Sequence, residues 1–362
     1  MTPVERRVRE RITASGPISI AEYMAIALGD PEHGYYRTRD PLGAAGDFVT
    51  APEISQVFGE LIGLWCAVTW RAMGAPDPVR LVELGPGRGT LMADAIRAAE
   101  RMPKFLAAAD IHLIETSPAL KRRQKGALAA LRATWHESFA EVPDGPCLVI
   151  ANEFFDALPI EQFVRTSDGW RRRSIGIDDV AGALCFVLTD SGRTIPSPFQ
   201  DAPLGVPCEV RPDAEMLAGD IARRIARNGG AALIIDYGHA ARAPGETLQA
   251  VRRHRFDDVL AQPGLADLTA HVDFGAMAEA VRAAGARTHG PIDQGSFLDR
   301  LGLGVRMQLL RDAAPDRAEE IRAGCRRLRD PEKMGTLFKV LAITPPGSPP
   351  PSGFATEGVL PC

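Results

Sequence analysis

No stretch of the 362-residue chain approaches the ~18 consecutive apolar residues that a membrane-spanning helix needs. Neither sign of charge dominates. The 42 Lys and Arg stand against 46 Asp and Glu, and a formal net charge of −4 gives no general pull toward nucleic acid or an anionic membrane. Six cysteines (Cys66, Cys147, Cys185, Cys208, Cys325 and Cys362) are scattered without a C-x-x-C pair. That argues against a disulfide framework and against a cysteine metal site, and fits a reducing cytoplasm. No His/Cys cluster has metal spacing, so no metal is expected. The N-terminal MTPVERRVRERITASG lacks the apolar core of a secretory signal, and Glu5 and Glu10 argue against a transit peptide. Val4, Val8 and Ile12 predict an amphipathic helix there instead. There is no internal repeat.

What is present is an ordinary soluble composition, 45% apolar and 24% charged, on a chain long enough for one large α/β domain with additions. Residues 1–78 read as a mainly helical cap or lid region, interrupted by the polar, glycine-rich HGYYRTRDPLGAAGDFVTAPEIS. From Val79 the rhythm is strand–helix–strand: VRLVEL, TLMADAIRAAERM, IHLIE, PALKRRQKGALAALR, ATWHES and CLVIAN. That alternation predicts a doubly wound parallel sheet over 79–343. Residues 160–210 read as an inserted β segment, with EQFVRT and GWRRRSIGI paired around an SDG turn. AALIIDYG is a further buried strand, and 239–275 is too long for a plain connection. The last predicted elements are helices around FGAMAEAVRAAG and EEIRAGCRRLR and the strand LFKVLAI. The Pro/Gly/Ser-rich tail, 344–362, is expected to be disordered.

The segment VRLVELGPGRGTL carries the strongest chemical signal. A strand ends at Glu83 and turns on Gly85, Gly87 and Gly89, leaving bare N–H groups at a helix N-terminus that a ligand can approach closely. IHLIETS then ends a second strand in Glu115, placed to hydrogen-bond a ribose diol. A dinucleotide fingerprint needs glycine at position 90, which is Thr90. The G-x-G-x-G spacing with an acid two residues upstream is similar instead to class I methyltransferases, which bind S-adenosyl-L-methionine. At the third strand's end Trp135 is placed to stack on an adenine and Ser138 to bond its edge, unless the indole merely covers the sheet edge. Asn152 and Glu153 close the fourth strand, where the sulfonium and methyl group belong. An NAD-dependent oxidoreductase is the alternative that Thr90 disfavours.

Several longer segments together carry a resemblance: GDFVTAPEISQVFGELIGLW (46–65), LVELGPGRGTLMADAIR (81–97), ANEFFDALPIEQF (151–163), LIIDYG (233–238) and ADLTAHVDF (266–274). The chain resembles the MidA-type SAM-dependent methyltransferases over nearly its whole length. That family's mitochondrial relatives are assembly factors of respiratory complex I. The resemblance implies a protein arginine methyltransferase whose acceptor is a core subunit of the NADH:ubiquinone oxidoreductase, symmetrically dimethylated during assembly. The lack of a transit peptide fits a cytoplasmic bacterial member, with a mitochondrial matrix location for the relatives. A SAM-binding assembly chaperone and an RNA methyltransferase are the other readings. The basic stretches Arg171–Arg173 and Arg252–Arg255 read as solvated surface rather than a nucleic-acid interface.

Arginine is a poor nucleophile because its charge is delocalised, so its methylation needs carboxylates that localise the charge and accept the departing proton. NEFFDALP offers Glu153 and Asp156, with Phe154 and Phe155 to wall a pocket. Its Asn-x-Phe-Phe order is similar to the Asn-Pro-Pro-Tyr loop of amino-group methyltransferases, with glutamate at the first proline. Asp156 is alternatively a helix cap, and Asp236 a structural hydrogen-bonding group. His271 and Asp273 are placed to approach the guanidinium, although Asp273 equally suits a cap on FGAMAEA. Asp47 and Glu53 belong to a segment expected to close over the cofactor as a lid, the alternative being a helix capped by Thr50.

Overall fold

The computed structural model describes residues 1–38, 43, 46–190 and 199–355. Its centre is a sheet of seven main strands: β1 (Val79–Leu84), β2 (Ala109–Ile114), β3 (Ala133–His136), β4 (Cys147–Asn152), β5 (Gly230–His239), β6 (Arg287–Asp293) and β7 (Phe338–Thr344). They lie in the spatial order β3-β2-β1-β4-β5-β7-β6, and the two-residue strand Val272–Asp273 extends β5. Strands β1 to β5 pair in parallel, whereas β7 runs antiparallel to both neighbours. The sheet is therefore mixed rather than wholly parallel. Sequence reasoning missed β6 because RTHGPID has no apolar alternation. Its proline is tolerable only on an edge, and an edge is where the strand sits.

Alternate residues of the inner strands feed two cores. Leu81, Leu148, Ile150, Leu233 and Ile235 face the helices Gln56–Ala72 and Thr90–Ala99. Val82, Leu84, Val149, Ala232 and Ile234 face the helices Pro212–Asn228 and Phe274–Ala283. Burial on both faces explains why these strands read as unbroken apolar runs. The first helix pair touches closely because Gly63 faces Ala95, where a Cβ would lie 2.3 Å from the carbonyl oxygen.

The β-rich additions and the N-terminal helices form a separate body of structure. Strands Glu161–Thr166, Gly169–Ile177, Leu184–Asp190 and Pro207–Val210 form an antiparallel sheet joined by Ile18–Ser19. The two-residue loop Ser167–Asp168 closes the expected hairpin. Residues Gln249–Arg252, Arg255–Asp257 and Asp267–Thr269 form a three-stranded sheet. Val4, Val8, Ile12 and Tyr23, from the helices Pro3–Ser15 and Ile20–Gly29, share one core with Ile160, Ile175, Ala250 and Leu268. The stretch 1–78 is thus not one cap. Its first part joins the additions, and its last helix packs on the central sheet.

The tail is ordered through Ala355, contrary to expectation, and 356–362 lie outside the described residues. Phe354 anchors it, buried 5.3 Å from the Phe297 ring, and the Trp65 indole donates to the Ser352 carbonyl at 3.1 Å.

Candidate active site

A cavity of about 860 Å³ opens at the carboxyl ends of β1, β2 and β4, where the strand order reverses. Open α/β sheets collect ligands at such a switch point. One wall is the sheet. The opposite wall is built from the N-terminal segment, the turn after β4 and the 239–275 insertion.

On the sheet wall, β1 delivers Glu83 and the glycine turn. Gly85, Gly87 and Gly89 have φ of 60°, 55° and 86°, all left-handed. Gly85 also faces Phe154 so closely that a Cβ would sit 2.7 Å from its ring. Glu83 is buried, its Oε2 has no hydrogen-bond partner among the described residues, and burial pushes its carboxyl up to about 8. An orphaned acid of this kind is stabilised by a cationic or hydrogen-bond-donating ligand. Glu115, at the end of β2, accepts from the Ser117 N–H at 2.7 Å and from Gln124 Nε2 at 3.0 Å. Burial raises its pKa against the pull of these donors. Its carboxylate has lone pairs left for a diol.

Sequence reasoning misses Gln124, yet it organises this wall. Fully buried, it also donates to the Gly87 carbonyl at 2.8 Å and accepts from the Trp135 indole at 2.8 Å. Trp135 is therefore turned away from the cavity, packed against the core and beneath Lys125. Ser138 is exposed and donates to Glu141 at 3.1 Å. Neither lines the cavity, nor does Gly89, whose place is the N-cap of the helix Thr90–Ala99. Ile114, Leu120 and Glu137 line the cavity near the end of β2, while Trp135 and Ser138 face away from it.

At the end of β4, Asn152 is buried with Oδ1 unpartnered among the described residues, and Glu153 adopts φ 49°, a strained conformation for a glutamate. Glu153 Oε1 accepts from the Ala51 N–H at 2.8 Å and from Asn152 Nδ2 at 3.2 Å. Burial pushes Glu153 up to about 7, with Asp156 adding to the shift and the Ala51 N–H opposing it. Asp236 holds the following turn: one oxygen accepts from the N–H groups of Phe154, Phe155 and Asp156 at 3.2, 3.0 and 3.1 Å. Its role is structural, and it does not line the cavity.

Asp156 lines the cavity and is not a helix cap. Its Oδ2 accepts from the Tyr237 hydroxyl at 2.6 Å while Oδ1 has no partner among the described residues. His271 also lines the cavity, edge-on to Tyr237 at 5.5 Å, and burial lowers its pKa so that it is neutral at pH 7. Asp273 does not reach the cavity. It caps Phe274–Ala283 through the Ala276 N–H at 2.9 Å and pairs with Arg242 at 3.0 Å.

The 46–55 segment covers the glycine turn. Glu53 accepts from the Thr90 hydroxyl and faces Arg88 at 3.6 Å. Asp47 lies behind it, accepting from the Tyr35 hydroxyl and the Arg253 N–H, both at 2.7 Å. Asp47 thus ties the segment to the insertion. The long helix begins at Gln56 and is capped by Ser55, not Thr50. Two further residues missed from sequence, Asp267 and Thr269, line the cavity beside His271. Their period-two spacing in D-L-T-A-H is the strand-face signal that could have found them.

Among the described residues no His/Cys/Asp/Glu group could hold a metal, and no helix is long and apolar enough to cross a membrane. Five cysteines are free thiols.

A family model described as an S-adenosyl-L-methionine-dependent methyltransferase matches residues 61–292. The chain is 40% identical to the mitochondrial protein arginine methyltransferase NDUFAF7 homolog of Drosophila melanogaster, covering 94% of this chain and 84% of that one. It is 38% identical to the Homo sapiens protein arginine methyltransferase NDUFAF7, covering 95% and 84%. A crystal structure from Burkholderia thailandensis bound to S-adenosyl-homocysteine superposes with a TM-score of 0.85 at 28% identity, covering 98% of this chain and 92% of that one.

Proposed function

The chain belongs to the S-adenosyl-L-methionine-dependent methyltransferase family, and from that premise we propose that it methylates an arginine in a protein partner. The cofactor is S-adenosyl-L-methionine, which supplies an electrophilic methyl carbon whose bond electrons return to sulfur as the acceptor nitrogen attacks. The residues present fit it. Glu83, with its unpartnered oxygen, suits the methionine ammonium, the glycine turn gives close approach, and Glu115 takes the ribose hydroxyls.

The observation that carries the arginine reading is the acid-rich cavity end past Asn152, where Asp156 keeps one oxygen free. A guanidinium held against Asp156 and Glu153 has its charge drawn to one edge, which leaves the other nitrogen able to attack. Glu153, held near neutrality by burial, accepts the proton that this nitrogen releases. Asn152 Oδ1 is placed to orient the attacking N–H. Phe154 walls the site against water. The arginine methyltransferase names of relatives 37–40% identical support the acceptor class. The MidA-type resemblance extends the reading to symmetric dimethylation of an NADH dehydrogenase subunit during complex I assembly. Buried free thiols support a reducing compartment.

The test is methyl transfer from labelled cofactor into proteins of cells lacking this gene, followed by mass spectrometry. Wild-type enzyme is expected to deposit methyl groups on arginine. Glu153→Gln is expected to lower kcat/KM by about 10²–10⁴-fold with cofactor affinity unchanged. Label on RNA alone would overturn the acceptor. Full turnover in the variant would remove Glu153 from the chemistry.

A further inference from the structure

A guanidinium is a planar fork with five N–H donors, and one carboxylate satisfies only one of its edges. Asp156 accounts for one edge in the reading above. The cavity contains a second acid in the same arrangement, contributed by a different part of the chain. Asp267, in the strand Asp267–Thr269 of the insertion, is only 4% exposed, and its Oδ1 accepts from the Tyr36 hydroxyl at 2.7 Å. Asp156 is 6% exposed, and its Oδ2 accepts from the Tyr237 hydroxyl at 2.6 Å. In each pair a phenol fixes one carboxylate oxygen. Asp156 Oδ1 is left without any partner among the described residues. All four side chains line the same cavity.

We propose that Asp267, oriented by Tyr36, is the second carboxylate of a two-sided clamp on the acceptor guanidinium, facing the Asp156–Tyr237 pair. This rests on the arginine reading and adds to it the residues that select the acceptor.

Charge balance supports the clamp. Asp156, Asp267 and Glu153 all line the cavity, while the buried Arg211 beside them does not; it points a nitrogen at the Phe155 carbonyl. Among the described residues no Lys or Arg is ion-paired to these acids, although against burial Arg211 lowers Asp156 and Arg327 lowers Glu153 through space. Burial, with Asp156 next in weight, pushes Asp267 up to about 8, so it holds on to its proton. A cationic side chain of the right shape takes the place of that proton. Both tyrosines stay protonated donors, since burial and the neighbouring acids raise them well above their ordinary range. The Tyr36–Asp267 arm comes wholly from segments outside the central sheet, so acceptor choice is separable from cofactor binding.

The experiment uses the full chain saturated with S-adenosyl-homocysteine, titrated with N-acetyl-arginine amide and with its uncharged isostere N-acetyl-citrulline amide. Wild type is expected to prefer the arginine probe. Asp267→Asn is expected to lose about 10–100-fold of that preference, and Tyr36→Phe a smaller part, with S-adenosyl-homocysteine affinity unchanged in both. Tyr36→Phe keeps the ring packing, so it reports on orientation even if Asp267→Asn folds poorly. A wild type that ignores the arginine–citrulline difference would overturn the arginine reading and the clamp with it. A wild type that discriminates, with both variants discriminating equally well, would overturn the clamp alone.

Discussion

The two walls of the cavity are built by different means. The wall proposed to hold the cofactor is mostly backbone: a strand, the left-handed glycines Gly85 and Gly87 and a helix N-terminus, completed by Glu83 and Glu115 at two strand ends. The acceptor wall is side chains, with Tyr36, Asp156, Tyr237 and Asp267 brought together from four distant parts of the chain. Backbone sites tolerate little change because geometry is their chemistry. Side-chain sites can be retuned one group at a time. Asp156 and Tyr237 come from the turn after β4 and from β5 of the central sheet, and Tyr36 and Asp267 from the additions.

Substitutions on the two walls should separate cleanly. The largest effect is expected from Gly85→Val. A Cβ there meets the Phe154 ring at 2.7 Å at a φ of 60°, and strain plus overpacking of about 3 kcal/mol should weaken S-adenosyl-homocysteine binding 100-fold or more by calorimetry. Binding within a few fold of wild type would show that the turn is not the cofactor's seat.

The acceptor wall should instead respond to pH. Burial holds Glu153 at about 7 and Asp267 at about 8, both above the ordinary carboxylate range, so both are protonated in acid and unable to pair with a guanidinium. kcat/KM should rise more than tenfold from pH 6 to 7, about tenfold from 7 to 8, and level off above 8. Asp156 raises both groups further, while the Ala51 N–H lowers Glu153 and the Tyr36 hydroxyl lowers Asp267. Stability should run the opposite way. The folded chain keeps protons that the unfolded chain releases, so stability falls as pH rises through the same window. S-adenosyl-homocysteine affinity should also rise over that range, because burial holds Glu83 at about 8, so the acceptor limb is read at saturating cofactor.

A smaller effect is expected from Gln124→Leu. It removes the bonds to Gly87, Glu115 and Trp135, and should weaken cofactor binding about tenfold while leaving the arginine–citrulline preference intact. Smallest of all is Ser138→Ala, which should leave cofactor affinity within twofold, because Ser138 is exposed and bonded to Glu141. A larger loss would return Ser138 to the adenine.

The same contrast explains what can be read from the chain. Glu83, the glycines and Glu115 are legible because strand, turn and helix follow one another within a few residues. The strand order around them follows from the alternating apolar runs. A strand's residues do not say which way its last side chains turn; the Trp135 indole is bonded to Gln124 and Ser138 to Glu141. Asp273 reads as a substrate group although its position before FGAMAEA equally marks a cap. Tyr36, Tyr237 and Asp267 escape because nothing local links them: their meeting depends on how the 239–275 insertion and the N-terminal helices pack. The ordered tail escapes because one phenylalanine outweighs the composition around it.

The most direct test of the account is a crystal structure with S-adenosyl-homocysteine and an arginine peptide bound together. The account predicts the sulfur near Asn152 and the guanidinium between Asp156 and Asp267, its attacking nitrogen ~3–3.5 Å from the position of the missing methyl. A guanidinium lying elsewhere, with those two acids still bonded only to their tyrosines, would contradict it.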